Sequence, residues 1–210
     1  MALQKKSALA LVLAAAAAAG TAYAHQPRLV GTRPFTEVRK PEISQAFYGR
    51  LDNSPHLYRI RSDKPFKLYV NTLVPDLPNI DKDVSAEIFK DKDTPENLIR
   101  RLDGPSFAWK PFFEPFGGDH YFLGPEFEEN VPAGTYWVRV TSADNAGKYA
   151  LAIGKKESFP PGEILKTIAL LPRLKKEFFE KSPLTAFWNL SGAFLLLVVG
   201  GTGGLAALFF

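Results

Sequence analysis

Residues 131–154 read VPAGTYWVRVTSADNAGKYALAIG, and this stretch decides the fold of the chain. Apolar side chains occupy alternate positions on both sides of a polar turn at residues 144–147. They are Tyr136, Val138 and Val140 before the turn, and Tyr149, Leu151 and Ile153 after it. A period of two is typical of a strand with one buried face, and Asp, Asn and Gly favour tight turns. The stretch therefore predicts two strands, each with one face on a core.

Similar alternation recurs upstream, in three segments between residues 56 and 90. Fifteen of the 17 prolines lie between Pro27 and Pro161, which disfavours long helices there. Short alternating segments without an interleaved helical period indicate two packed sheets rather than a parallel α/β fold. We therefore predict an all-β domain over residues 25–159, an antiparallel β-sandwich of roughly seven to nine strands.

Both ends of the chain are apolar. Lys5 and Lys6 precede an apolar run that ends in small residues, the pattern of a signal peptide over residues 1–24. The last 29 residues carry no charge, and roughly 20 apolar residues are enough to span a bilayer. We predict a transmembrane helix over residues 183–210, which would hold the exported domain at the periplasmic side of a bacterial inner membrane.

Between the sandwich and the predicted span, residues 160–182 have the pattern of an amphipathic helix. The apolar residues fall on one stripe: Ile164, Ile168, Leu171, Leu174 and Phe178. Most lysines and arginines of this segment lie elsewhere. One interpretation is a juxtamembrane helix that lies on membrane lipid, with its cations among anionic head groups. The other is a solvated stalk or a helix packed on the sandwich, and the sequence leaves both open.

Composition and motifs exclude several classes of function. The net charge of +4 is small for 210 residues, so we predict no nucleic-acid partner. The chain has no cysteine, which excludes thiol catalysis. It also lacks a nucleophile elbow, a phosphate-binding loop and a dinucleotide fingerprint, and its serines and threonines are scattered without a nearby histidine. We therefore predict a protein that is not an enzyme and needs no cofactor.

Residues 131–154 resemble the closing hairpin of bacterial pre-peptidase C-terminal domains, in which a Pro-Ala-Gly-Thr-Tyr entry leads into an alternating strand. PHLYRIRSDKPFKLYV (55–70) is similar to the paired opening strands of that family, and VSAEIFKD (84–91) to its central strand. The resemblance implies a jelly-roll-like sandwich with a binding or accessory role and no catalytic activity. This chain departs from the family pattern by a long aromatic insert before the closing hairpin.

The three histidines support one alternative, a periplasmic copper-binding protein. Cleavage after Ala24 would make His25 the N-terminal residue, whose amine and ring nitrogen could bind one copper(II) ion. The start HQPRLV also resembles the mature start of periplasmic copper-binding β-sandwich proteins. Further ligands would come from His56, Asp119 and His120. The simpler interpretation places His56 at a core edge and His120 in an exposed turn.

Residues 107–127 hold eight aromatic rings interrupted by three prolines. Such a segment could form an exposed ridge that binds a protein partner, with Trp109, Phe112, Phe113 and Phe116 as candidate contacts. Alternatively, it folds over the open end of the sandwich as a small second core. The sequence thus predicts a non-catalytic, membrane-anchored β-sandwich that binds another envelope component, with the copper protein as the alternative.

Overall fold

The computed structural model describes residues 25–31 and 34–188 of the 210-residue chain. The predicted signal peptide lies outside these residues, as does the predicted transmembrane helix from residue 189 onward. Within the described part of the chain, no helix is long and apolar enough to cross a membrane. Residues Pro183–Phe187, which the sequence placed at the start of the span, form a short 3-10 helix.

The described residues contain eleven strands followed by one α-helix, which confirms the predicted all-β class and exceeds the predicted number of strands. The strands are β1 Gln26–Leu29, β2 Thr36–Val38, β3 Gln45–Asp52, β4 His56–Ser62, β5 Phe66–Pro75, β6 Ser85–Lys90, β7 Leu98–Leu102, β8 Lys110–Glu114, β9 Asp119–Val131, β10 Gly134–Thr141 and β11 Ala146–Ile153. The helix, α1, spans Pro161–Glu177 within the segment where the amphipathic pattern placed one.

The strands form a six-stranded sheet in the order β1-β3-β11-β5-β9-β8 and a five-stranded sheet in the order β2-β4-β10-β6-β7. The hairpin that the resemblance implied for residues 131–154 is wrong, because β10 and β11 lie in different sheets. The opening strands β4 and β5 are likewise unpaired with each other. Each turn is therefore an arch across the core. Alternation predicts which face of a strand is buried, but it does not predict its neighbour in the sheet.

The prediction that the sandwich is antiparallel is wrong for its first two strands. β1 pairs parallel with β3, and β2 pairs parallel with β4. The chain crosses from the edge of one sheet to the edge of the other before it returns, so no tight turn joins the parallel neighbours. Parallel pairing needs such a crossover connection. All other strand pairs are antiparallel.

The main core fills the space between the sheets, and it contains the alternating residues that decided the fold. Tyr136, Val138 and Val140 of β10 and Tyr149, Leu151 and Ile153 of β11 all belong to this core and are at most 1% exposed. A second apolar cluster lies on the opposite, outer face of the six-stranded sheet, where α1 and the residues after it pack. The domain thus has three layers. The third, the helical layer, consists of α1 and the residues that follow it up to Phe179.

Candidate functional site

The outer face of the six-stranded sheet receives α1 through small and aromatic side chains. Ala150 and Ala152 of β11 leave room for Leu174, which is 2% exposed. Tyr48 of β3 packs edge-on against Phe178, with ring centroids 4.9 Å apart, and Phe179 packs against Tyr121 at 5.2 Å. Leu174 and Phe178 of the apolar stripe therefore face the sheet, as in the interpretation that packs this helix on the sandwich.

A buried ionic cluster lies beside this apolar contact. The Lys175 ammonium of α1 donates to Asp119 Oδ2 at 2.6 Å and to the Gly117 carbonyl. Lys181 donates to the other oxygen of the same carboxylate, Oδ1, at 2.9 Å. The side chains of Lys175 and Asp119 are only 1% and 2% exposed. A lysine and an aspartate are buried to this extent only when they are paired.

The tight turn between β8 and β9 supplies the acidic side of this cluster. Glu114, the last residue of β8, accepts the backbone N–H groups of Phe116 and Gly117 at 2.8 and 2.7 Å. A Cβ atom added at Gly117 would lie 2.8 Å from Glu114 Oε2 and 3.0 Å from Asp119 Oδ2. The two carboxylates therefore flank the same glycine, and a side chain there would collide with both.

Burial changes the proton affinity of two members of the cluster. Burial raises the pKa of Glu114 above its usual value, although the two backbone N–H groups oppose this shift. Burial also lowers the pKa of Lys175, and the hydrogen bond to Asp119 opposes that shift. Glu114 is thus a stronger base, and Lys175 a weaker base, than either group would be in water.

Two further residues of the sandwich, Lys148 and Arg28, attach the helical layer to it. Lys148 of β11 donates to the Phe178 carbonyl at 3.0 Å and to Glu180 at 2.7 Å. At the other end of the helix, Arg28 of β1 forms an ion pair with Glu163 at 2.8 Å. Contacts near both ends and the buried cluster hold the layer in one position on the sheet.

The four candidate metal ligands each have another partner in the structure. His25 Nδ1 lies 2.5 Å from Ser44 Oγ, and burial lowers the pKa of His25 to about 4. His56 Nδ1 lies 2.7 Å from the Tyr149 hydroxyl. His120 packs against Phe113, with ring centroids 4.8 Å apart and the ring planes tilted by 43°. Asp119 is the carboxylate paired with two lysines.

The fold also separates these four residues. Three strands lie between β1 and β9 in the six-stranded sheet, which puts His25 at least about 19 Å from His120 at the usual strand spacing. His56 opens a strand of the other sheet. No group of three potential metal ligands occurs among the residues described. Copper binding by His25 and its own amine, without the other three residues, stays a prediction.

The aromatic insert forms the segment before β8, the β8–β9 hairpin and much of β9, and most of its rings are packed. Trp109 donates to the Gly104 carbonyl at 2.9 Å, and its indole fills the space above Gly124. Phe112 packs in the cluster beneath α1, and Phe116 is half-buried. Phe113 points the other way and is 51% exposed. Phe112 therefore fits the second-core interpretation, whereas Trp109 packs against the main core. The exposed-ridge interpretation fits Phe113 alone among the four candidates.

Sequence reasoning did not single out the outer face of the five-stranded sheet. There the Arg59 guanidinium lies 4.1 Å from the centroid of the Phe35 ring and 2.7 Å from Glu37. Arg139 lies over Phe89 and forms ion pairs with Glu87 and Asp93. Arg59, Glu87 and Arg139 occupy polar positions of the alternating strands, so the sequence did contain a signal for this face. Among the residues that the structure describes, no helix covers this face, which is charge-balanced and rich in arginine.

Comparisons with family models and with curated proteins gave no match. Among solved structures, the chain is similar to the pre-peptidase C-terminal domain of a collagenase from Bacillus anthracis, with a TM-score of 0.36 and 13% identity over 59% of this chain and 98% of that domain. That domain is a pre-peptidase C-terminal domain, the family that residues 131–154 resemble.

Two other solved structures are more distant. CorA, described as a surface-associated copper-binding protein important in copper acquisition by Methylomicrobium album BG8, gives a TM-score of 0.30 with 8% identity over 62% of this chain and 100% of that one. A β-glucosidase from Paenibacillus barengoltzii gives 0.27 with 10% identity over 62% of this chain and 13% of the enzyme. Likenesses of this size carry no information about ligand or partner.

Proposed function

We propose that this protein is a non-catalytic binding module, exported and anchored at the periplasmic side of a bacterial inner membrane by residues 189–210. The observation that carries the proposal is the docked helical layer. Because α1 is attached to the sheet by a buried ion pair and by aromatic packing, the chain leaves the sandwich from a fixed position. The apolar segment that follows then holds the whole domain, and not a loose stalk, at the bilayer.

Exposed apolar residues at the exit point support the anchoring part of the proposal. Leu184, Phe187 and Trp188 are 67%, 38% and 85% exposed, and the 22 residues after Trp188 carry no charge. Tryptophan is enriched where a membrane helix meets the head groups. The span therefore starts after Trp188 in this proposal, about six residues later than the sequence pattern suggested.

The exposed side of the β8–β9 hairpin is the proposed contact for an envelope protein. Phe113 is half-exposed and packs against His120, so the two rings present an aromatic surface that is already ordered. Rigid aromatic side chains lose little conformational entropy on binding and dominate many interfaces. Trp109 and Phe112 would support this surface from below.

Cross-linking and co-purification of the full chain from membranes test the proposal. Phe113→Ala should reduce the recovered partner several-fold while thermal unfolding stays unchanged, because the ring contributes little to a core. Leu98→Ala, at a residue of similar exposure on β7, is the matched control and should recover the partner normally. Equal recovery with both variants would remove the hairpin as the contact. Protease treatment of spheroplasts tests the topology separately. Cleavage within residues 25–160 would support the periplasmic location, and protection of these residues would contradict it.

A further inference from the structure

The buried cluster of Lys175, Asp119, Glu114 and Lys181 has the arrangement of a reaction centre for the protein's own side chains. We propose that Lys175 Nζ and Asp119 Cγ form an intramolecular isopeptide bond, which joins α1 covalently to the start of β9. The bond would close a loop between residues 56 apart in the sequence. The inference does not depend on anchoring or on a partner, because every participant lies within the described domain.

The geometry places the nucleophile next to its target. Lys175 Nζ lies 2.6 Å from Asp119 Oδ2. With a carbon–oxygen bond of about 1.2 Å and ordinary hydrogen-bond angles, Nζ is about 3.4 Å from Cγ. Reacting atoms held about 3–3.5 Å apart behave as if at very high effective concentration. The docked helix supplies this placement continuously.

The neighbours supply what acyl transfer from a carboxyl group needs. The lowered pKa of Lys175 raises the fraction of neutral amine, which is the nucleophile. Glu114 lies beside Asp119 at their shared glycine, and its raised pKa makes this carboxylate a better acceptor for a proton from the reacting nitrogen. Lys181 donates to Oδ1, the oxygen that carries the negative charge in the tetrahedral intermediate. Each of the four side chains thus has a separate role.

The reaction balances without any other reagent. Lys175 passes one ammonium proton to Oδ2 along their hydrogen bond. The neutral amine then attacks Cγ, and Oδ1 takes the negative charge beside the Lys181 ammonium. Glu114 takes a proton from the nitrogen and delivers it to Oδ2, the Cγ–Oδ2 bond breaks, and one water leaves. An ammonium and a carboxylate become an amide and water. The half-exposed Lys181 marks the side from which the water can reach solvent.

At this position the bond would link α1 covalently to the six-stranded sheet. The chain has no cysteine, so it cannot form a disulfide between its layers. The cluster is buried and water-poor, which disfavours hydrolysis of the amide once it has formed. The bond would hold the helical layer on the sheet even when the non-covalent contacts open.

Mass spectrometry of the full chain, purified from membranes, tests the bond directly. A linked chain is lighter than its processed sequence by about 18 Da, one water. Tryptic digestion should give one branched peptide that contains both Asp119 and Lys175, since trypsin cannot cleave after the acylated lysine. Lys175→Met and Asp119→Ala should each restore the full mass. Wild-type protein with the full mass and with separate peptides, after purification and prolonged incubation, overturns the proposal and leaves a salt bridge.

Glu114→Gln separates catalysis from proximity. This variant keeps one of the two hydrogen bonds from the backbone, because an amide nitrogen cannot accept the other. It cannot carry a proton from the nitrogen to Oδ2, so the fraction of linked chain should fall at least about tenfold at a fixed time. Circular dichroism of the variant checks that the fold is intact. A linked fraction equal to that of wild type would overturn the assignment of Glu114 as the proton carrier.

Discussion

The two outer faces of the sandwich use the same ion-pair chemistry in different surroundings. On the covered face, Lys175 lies 2.6 Å from Asp119, and both side chains are nearly inaccessible. On the open face, Arg139 lies 2.7 Å from Glu87, but the two side chains are 30% and 15% exposed. Distance alone would rank the pairs as equal. Burial makes the first pair costly to break and leaves the second screened by solvent, so the covered face should control the stability of the domain.

The sharpest test removes the acid from each pair. Asp119→Ala leaves two lysines without their carboxylate, one of them buried, and should lower the free energy of unfolding by at least about 3 kcal/mol. Glu87→Ala on the open face should cost about 1 kcal/mol or less. Urea unfolding of the full chain in detergent measures both. Similar losses would show that the two faces are energetically equivalent and would break the comparison.

The apolar contribution of the covered face can be measured with two leucines of the same helix. Leu174→Ala opens a cavity beneath α1 and should cost about 2–5 kcal/mol. Leu165 is 68% exposed, so Leu165→Ala should change stability by less than about 0.5 kcal/mol. Limited proteolysis between residues 154 and 160 should accelerate in the first variant only. Equal cleavage rates would mean that the helix is not held by its buried stripe.

Acid should lower the free energy of unfolding through His25, which precedes β1 at the edge of the six-stranded sheet. Burial holds the pKa of His25 at about 4 in the fold, against 6.5 in an unfolded chain. A lowered pKa means that the unfolded chain binds the proton more readily, so this contribution is complete above pH 6.5 and is lost as the pH falls towards 4. The loss should reach about 2–3 kcal/mol. His25→Gln should flatten the stability profile in this range, and an unchanged slope would contradict the assignment.

The smallest effects concern copper, because the fold keeps the three histidines apart. His56→Ala and His120→Ala should bind copper(II) like the wild type, since the fold keeps them apart from His25. Any loss of affinity should appear only in His25→Ala. Isothermal titration of the processed chain measures this, and a shared loss in all three variants would show that the sites converge.

The alternating residues predicted the sandwich core but not the sheet order. Tyr136 and Tyr149 face the same core, as their period indicated, yet they lie on strands of different sheets. Period two specifies the buried face of a strand, and both an arch and a hairpin satisfy it. The parallel pairings of β1 with β3 and of β2 with β4 could not be predicted either, because each depends on where a crossover connection places the strand.

The buried cluster could not be predicted from sequence. Asp119 in a GGDH turn suggested a metal ligand, and Lys175 suggested a solvent-exposed or lipid-facing cation. They are partners only because α1 docks on the six-stranded sheet, which the amphipathic pattern allowed without specifying. The aromatic insert shows the same limit, since alternation along β8 puts Phe112 under the helix and Phe113 outside it.

The contacts of β1 set an order on the maturation of the chain. Gln26 donates to the Ser158 carbonyl, and Arg28 reaches Glu163, across sequence separations of 132 and 135 residues. The first strand to emerge during synthesis therefore cannot find its last partners until almost the whole domain has followed it. A ribosome or translocase that stalls before residue 163 would leave all eleven strands without α1, and the outer face of the six-stranded sheet would stay bare, a natural substrate for chaperones and proteases.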